Sequence, residues 1–193
     1  MSKRSKWSDL VVIALIAAVS IVLKPYLRAP FAFVQTTLGM PVGVFIGGIY
    51  MFWPLLAGFV VPRRGVVLLT CLLQGLLAVA TGFVGLLGPL AIFSYIAPGL
   101  VIEALFLLPR SPARSLLWSM AGGALGNVAG AATNALLFFS LRGTVFSLAL
   151  VASLLTGAAG GWLAVVVGRR VAGAYRRERH APARQDMAGT GRR

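Results

Sequence analysis

The chain has 193 residues, 59% of them hydrophobic and 11% charged, with a formal net charge of +14 and a mean hydropathy of +0.90. A soluble domain carries about 25% charged residues, whereas apolar runs here fill most of the length from Leu10 to Val167, which places the chain among integral membrane proteins. A single cysteine (Cys71), a single histidine (His180) and four acids leave no material for a disulfide framework, a multi-histidine metal site or a Ser–His–Asp triad, so neither an enzyme nor a resident cofactor is expected.

The N-terminus is basic and then apolar, but no small-residue cleavage site follows before Lys24, so Ser8–Leu27 reads as a retained first helix, with Lys24 near its end able to snorkel to the surface. A span needs about 20 apolar residues. Five further segments qualify: Met40–Val61, a short Gly65–Ala80, Pro89–Leu108, Ser115–Leu141 and Thr144–Val167. The expected fold is thus all-α, with six transmembrane helices over residues 1–175. Residues 176–193 read as a basic, disordered tail held near anionic lipid. Between the spans, Arg28–Gly39 and Thr81–Gly88 are long enough to fold over a site, and Arg142–Gly143 is a tight turn.

Lysine and arginine counts orient this bundle. One side holds Lys3, Arg4, Lys6, Arg63, Arg64, Arg110, Arg114 and the arginines from Arg169 onward, fifteen in all, against three (Lys24, Arg28 and Arg142) on the other. The bias alternates across all six helices, which predicts both termini in the cytoplasm of a multi-pass cell-membrane protein. The clusters serve topology and lipid contact rather than nucleic acid, for which the chain has no basic soluble face.

Glu103 is the one acid inside a span. A carboxylate in hydrocarbon costs several kcal/mol, so it must face a partner, a cavity or a ligand. It either locks helices together or meets a ligand or proton, and Gly99 one turn earlier leaves space beside it. Asn127 and Asn134 are seven residues apart, on one face of the fifth helix, and Gln74 lies inside the third; such amides glue helices or line a polar pocket. Tyr50 and Trp53 on the second helix and Tyr95 on the fourth offer flat surfaces for a ring or a cation, while Trp7 and Trp118 suit the membrane interface. Gly122, Gly126 and Gly130 form a stripe that permits close helix approach, within the chain or against a partner. With no phosphate-binding Gly-rich loop, any ATP-driven process needs another chain.

Ala14-Leu15-Ile16-Ala17-Ala18 carries an Ala-x-x-x-Ala pattern, and Gly48-Ile49-Tyr50-Met51-Phe52-Trp53 and Gly99-Leu100-Val101-Ile102-Glu103-Ala104-Leu105-Phe106-Leu107 form two further distinctive stretches. With these the chain resembles the substrate-binding S components of energy-coupling factor (ECF) vitamin transporters, and within them the YkoE-like members associated with thiamine or its hydroxymethylpyrimidine precursor. The resemblance implies capture of a small vitamin, an ECF transmembrane coupling subunit docked on Ala14 and Ala18, and separate ATPase subunits. It makes Glu103 and Trp53 candidate ligand contacts, beside Tyr50, Tyr95, Asn127, Asn134 and Gln74, which the residues themselves put forward, and it puts Asn134 where some relatives carry an acid. The alternative is a stand-alone, proton-coupled secondary transporter of a small cationic solute that uses Glu103.

Overall fold

The computed structural model describes residues 3–28, 37, 43–83, 85–108, 115–139 and 142–180, and among these it is all-helical. Six α-helices follow in order: α1 (Lys3–Arg28), α2 (Gly43–Val60), α3 (Val66–Ala80), α4 (Ile92–Phe106), α5 (Leu116–Asn134) and α6 (Gly143–His180). A 3-10 segment, Gly85–Ala91, leads into α4, and a π-helical turn, Ala135–Phe139, follows α5. Among the described residues, three helices are long and apolar enough to cross a membrane, over Trp7–Leu27, Gly88–Phe106 and Gly143–Gly173; Ile46–Val60 and Val66–Ala80 are apolar but shorter.

Two boundaries differ from the sequence expectation. The last helix does not stop at Val167 but continues to His180, so the expected tail boundary at Arg176 falls inside it; residues 181–193 lie outside the described part. Arginine is a good helix former, and a drop in hydropathy marks where hydrocarbon ends, not where a helix ends. The expected fifth helix loses its regular α geometry at Asn134. Most of the expected covering loop Arg28–Gly39, together with Val84, Arg110 and Arg114, lies outside the described residues.

Cross-helix contacts define two ends. At one, the start of α1 meets the α2–α3 connection through an Asp9–Arg63 ion pair of 2.8 Å. At the other, Lys24 of α1 reaches Tyr50 and Tyr95. We call these the Asp9 end and the Lys24 end. The helix α2 is the hub: nearly every residue from Met51 to Val60 is buried, packed with Ile13 of α1, Val66 and Val67 of α3, Ile102 of α4 and Ala164 of α6. A helix that is apolar all round belongs in such an interior. Trp7, Val11, Leu15 and Val22 on α1, and Leu148, Val151, Leu155 and Trp162 on α6, face outward, the inverse of a water-soluble bundle.

Helix α6 approaches two neighbours backbone to backbone. A Cβ on Gly160 would overlap the Gly48 carbonyl of α2, and one on Gly157 would overlap the Gly123 carbonyl of α5. The Gly122/Gly126/Gly130 stripe instead packs on α4, against Ile102, Phe106 and Pro98. The sequence left open whether that stripe served the chain or a partner; its space is taken by the chain's own fourth helix.

Candidate functional site

Lysine near the end of a membrane helix is expected to stretch its stem toward water. Lys24 does the opposite. Its Nζ lies 3.9 Å from the Tyr95 ring centroid and 4.6 Å from that of Tyr50, so α1, α2 and α4 converge on one ammonium. Both distances are within the range of attraction between a cation and an aromatic face. One turn from Tyr50 toward the Asp9 end, Trp53 is part-buried and packs edge-to-face on Phe52, with centroids 4.9 Å apart and planes at 72°. Its indole Nε1–H is buried and has no acceptor among the described residues. Leaving such a donor unpaired costs about 1–3 kcal/mol, which makes Trp53 a candidate donor to a ligand. Beside Tyr95, Ser94 Oγ donates to Asn134 Oδ1 at 2.8 Å, and Asn134 Nδ2 donates to the Gly130 carbonyl at 2.9 Å. Asn134 thus joins α5 to α4 at the Lys24 end.

The other candidates sit apart from this cluster. Asn127 donates from Nδ2 to the Ser153 carbonyl at 2.8 Å and to Thr156 Oγ1 at 3.1 Å, tying α5 to α6. Gln74 Nε2 donates to Ser20 Oγ at 2.7 Å, tying α3 to α1, and Ser20 in turn donates to the Ala17 carbonyl. Glu103 lies about one turn from the end of α4, at the Asp9 end of the bundle. Its Oε1 accepts from the backbone N–H of Gly65, the residue that opens α3. Gly65 sits at φ 82°, a left-handed conformation that glycine adopts without strain, and that turn aims its N–H at the carboxylate. A carboxylate at a helix N-terminus satisfies an orphan donor and the positive end of the helix dipole. Glu103 Oε2 is buried with no hydrogen-bond partner among the described residues.

Glu103 is therefore two turns, or about 12 Å, along α4 from Tyr95, and the structure does not bring it to the aromatic pair. It does bring together Tyr50 and Tyr95, with Trp53 next along α2. Ala14 is exposed on α1 and Ala18 half-buried one turn on, while Ala17 between them faces the interior at 0% exposure.

The residue that sequence reasoning missed is Lys24. The available signal was a lysine inside an apolar stretch, in a chain with no acid between Asp9 and Glu103 to pair with it.

Residues 8–129 match the family described as ABC-type cobalt transport system, permease component. No curated protein matches the sequence. Among solved structures, an S-component of an ECF transporter superimposes with a TM-score of 0.71 at 22% identity, covering 87% of this chain and 84% of that one. At that identity the likeness speaks for the fold alone, which is like that of the S-component. The family match runs from α1 into α5 and takes in more than half of the sequence, so the chain belongs to the family of ABC-type cobalt transport system permease components.

Proposed function

We propose that this chain is the substrate-capture subunit of an ATP-driven importer of the energy-coupling factor type. It spans the membrane six times with both termini cytoplasmic, and takes thiamine or its hydroxymethylpyrimidine precursor from outside. The observation that carries this reading is the aromatic cluster at the Lys24 end, where Tyr50 and Tyr95 already hold a cation between their ring faces. Thiamine offers a cationic thiazolium for such faces and an aminopyrimidine ring whose nitrogen can accept from the unpaired Trp53 N–H. Charge supports the orientation: among the described residues, the Lys24 end carries few basic residues and the Asp9 end carries most of them.

The name of the matched family mentions cobalt. The donor chemistry of this chain does not suit a divalent transition metal, which takes imidazole, thiolate or carboxylate ligands. Among the described residues no three histidines, cysteines, aspartates or glutamates come together, and the whole chain has six such residues spread from Asp9 to Asp186. An aromatic cluster instead suits a weakly hydrated organic solute.

Energy would come from separate ATPase chains, relayed by a coupling subunit docked on Ala14 and Ala18 of α1. Glu103, held by Gly65 at the opposite end, then serves the α3–α4 junction rather than the ligand. The buried, unpartnered Glu103 Oε2 favours the rival reading, a proton-coupled transporter working alone. Purification after co-expression with a coupling subunit and its ATPases, followed by transport in liposomes, separates the two. Under our reading the chain recovers with those partners, moves thiamine only with ATP, and loses transport but not binding in Ala14→Leu. Uptake by the chain alone, driven by a proton gradient, sinks it.

A further inference from the structure

We infer that Lys24 is a built-in stand-in for the ligand's positive charge: its ammonium fills the slot between Tyr50 and Tyr95 when the site is empty, and a cationic ligand must evict it. This deepens the capture-subunit reading and rests on it.

Lys24 lies close to the end of α1, and its four-carbon stem could carry the charge to water. It turns inward instead, over two rings from two other helices. Among the described residues no carboxylate explains this. Of the four acids in the chain, Asp9 pairs with Arg63 at the far end, Glu103 binds Gly65 there, and Glu178 and Asp186 belong to the C-terminal stretch. Among the described residues the ammonium's contacts are these two ring faces, which carry the negative lobe of the aromatic quadrupole.

That geometry selects the ligand's charge. An anion could pair with the Lys24 ammonium only from outside the slot, because between the rings it would meet their negative faces. A hydrated inorganic cation would have to exchange its water shell for ring faces, which replace it poorly. A delocalised organic cation such as thiazolium is weakly hydrated and matches two ring faces. It cannot share them with the ammonium at 3.9 and 4.6 Å from the ring centroids, because two positive charges in a low-dielectric site repel strongly. Eviction is feasible, since the position of Lys24 near the helix end lets its stem swing out to water. Affinity for a cation is then reduced by competition with Lys24, whereas a neutral ligand that leaves the slot alone escapes that competition.

The test compares wild type, Lys24→Met and Lys24→Arg in the full-length purified protein, by tryptophan fluorescence and calorimetry. The probes are thiamine, neutral hydroxymethylpyrimidine and N-methylpyridinium. Methionine keeps length and removes charge, so both cations should bind Lys24→Met about tenfold more tightly than wild type. The neutral pyrimidine should change by less than about twofold. Lys24→Arg keeps a competing cation and should stay near wild type. As a second reading, acetylation of Lys24 by a water-soluble reagent, followed on its own peptide, should be slow in the empty protein and speed up with saturating thiamine. Weaker cation binding in Lys24→Met would make Lys24 a ligand anchor and overturn the inference. So would equal cation affinity in all three proteins, or no binding of either cation by Lys24→Met. In each of those cases, recovery of the wild-type chain with coupling and ATPase subunits would leave the capture-subunit reading standing. Loss of that complex beside tightened cation binding would mean the reverse.

Discussion

The two sides of this bundle are held by different physics. Helix α6 meets α2 and α5 through backbone, at Gly160 on Gly48, Gly157 on Gly123 and Gly161 on the Ser119 carbonyl. Helices α1, α3 and α4 meet one another and α2 through side chains: Gln74 with Ser20, Glu103 with Gly65, Lys24 with Tyr50 and Tyr95. Backbone contacts have no rotamers and cannot yield. Side-chain contacts can re-form in a second arrangement at the cost of a rotamer change. The first side is therefore a fixed scaffold. The second carries the charged contacts and the Gln74 tie, and contains the parts able to respond to a ligand.

The largest effect that would break this contrast is on the scaffold side. Leucine at Gly160 must drive a branched side chain into the Gly48 backbone, where no flexible end can give way. The helices have to separate, and the overpacking should cost about 3 kcal/mol or more. Gly160→Leu should fail to accumulate as a monodisperse species in detergent, whereas leucine at Gly173, which has open space around it, should purify as wild type. Size-exclusion profiles of the two variants decide this. A well-folded Gly160→Leu would show that the seam can slide and that the scaffold is not fixed.

Much of the architecture is legible in the sequence, because hydrocarbon selects apolar runs and connections select Gly, Pro and Arg. The expected third helix, Gly65–Ala80, differs by one residue from Val66–Ala80. What hydropathy does not carry is depth along a helix, or which face meets which neighbour. Glu103 reads as an intramembrane acid from its apolar context, yet its partner Gly65 arrives from 38 residues away and places it at the junction of α3 and α4. Asn127 and Asn134 share a face by periodicity, but one reaches α6 and the other α4. Tyr50 and Tyr95 are legible as aromatics; that they close on Lys24 is a three-helix fact beyond any local pattern.

A middle-sized effect sharpens the contrast between the ends. Glu103→Ala removes the acceptor for Gly65 N–H and leaves that donor at the start of α3 unpaired by protein. Loss of this hydrogen bond should lower stability by about 1–1.5 kcal/mol, read as a fall in the thermal unfolding midpoint in detergent. Glu103→Gln retains a carbonyl acceptor and should recover part of that loss. Because Tyr95 lies two turns away along α4, neither variant should change thiamine affinity by more than about twofold. A large loss of affinity in Glu103→Gln with stability intact would move the ligand site to the Asp9 end.

The smallest effect concerns Gln74, a residue the sequence offers as a pocket lining. It is 3% exposed and donates to Ser20 Oγ, which itself donates to the Ala17 carbonyl. Gln74→Leu removes one neutral hydrogen bond but leaves the Ser20 hydroxyl with its own acceptor, and leucine nearly matches glutamine in volume. The net cost should be about 1 kcal/mol or less. Ser20→Ala should cost more, because it strands the buried Gln74 amide without its acceptor. This ordering, Ser20→Ala below Gln74→Leu in unfolding midpoint with thiamine binding equal in both, follows only if the pair is an interhelix tie. Reduced binding in Gln74→Leu at unchanged midpoint would instead put Gln74 in contact with the solute, and would extend the responsive side of the bundle from the aromatic cluster into the α1–α3 interface.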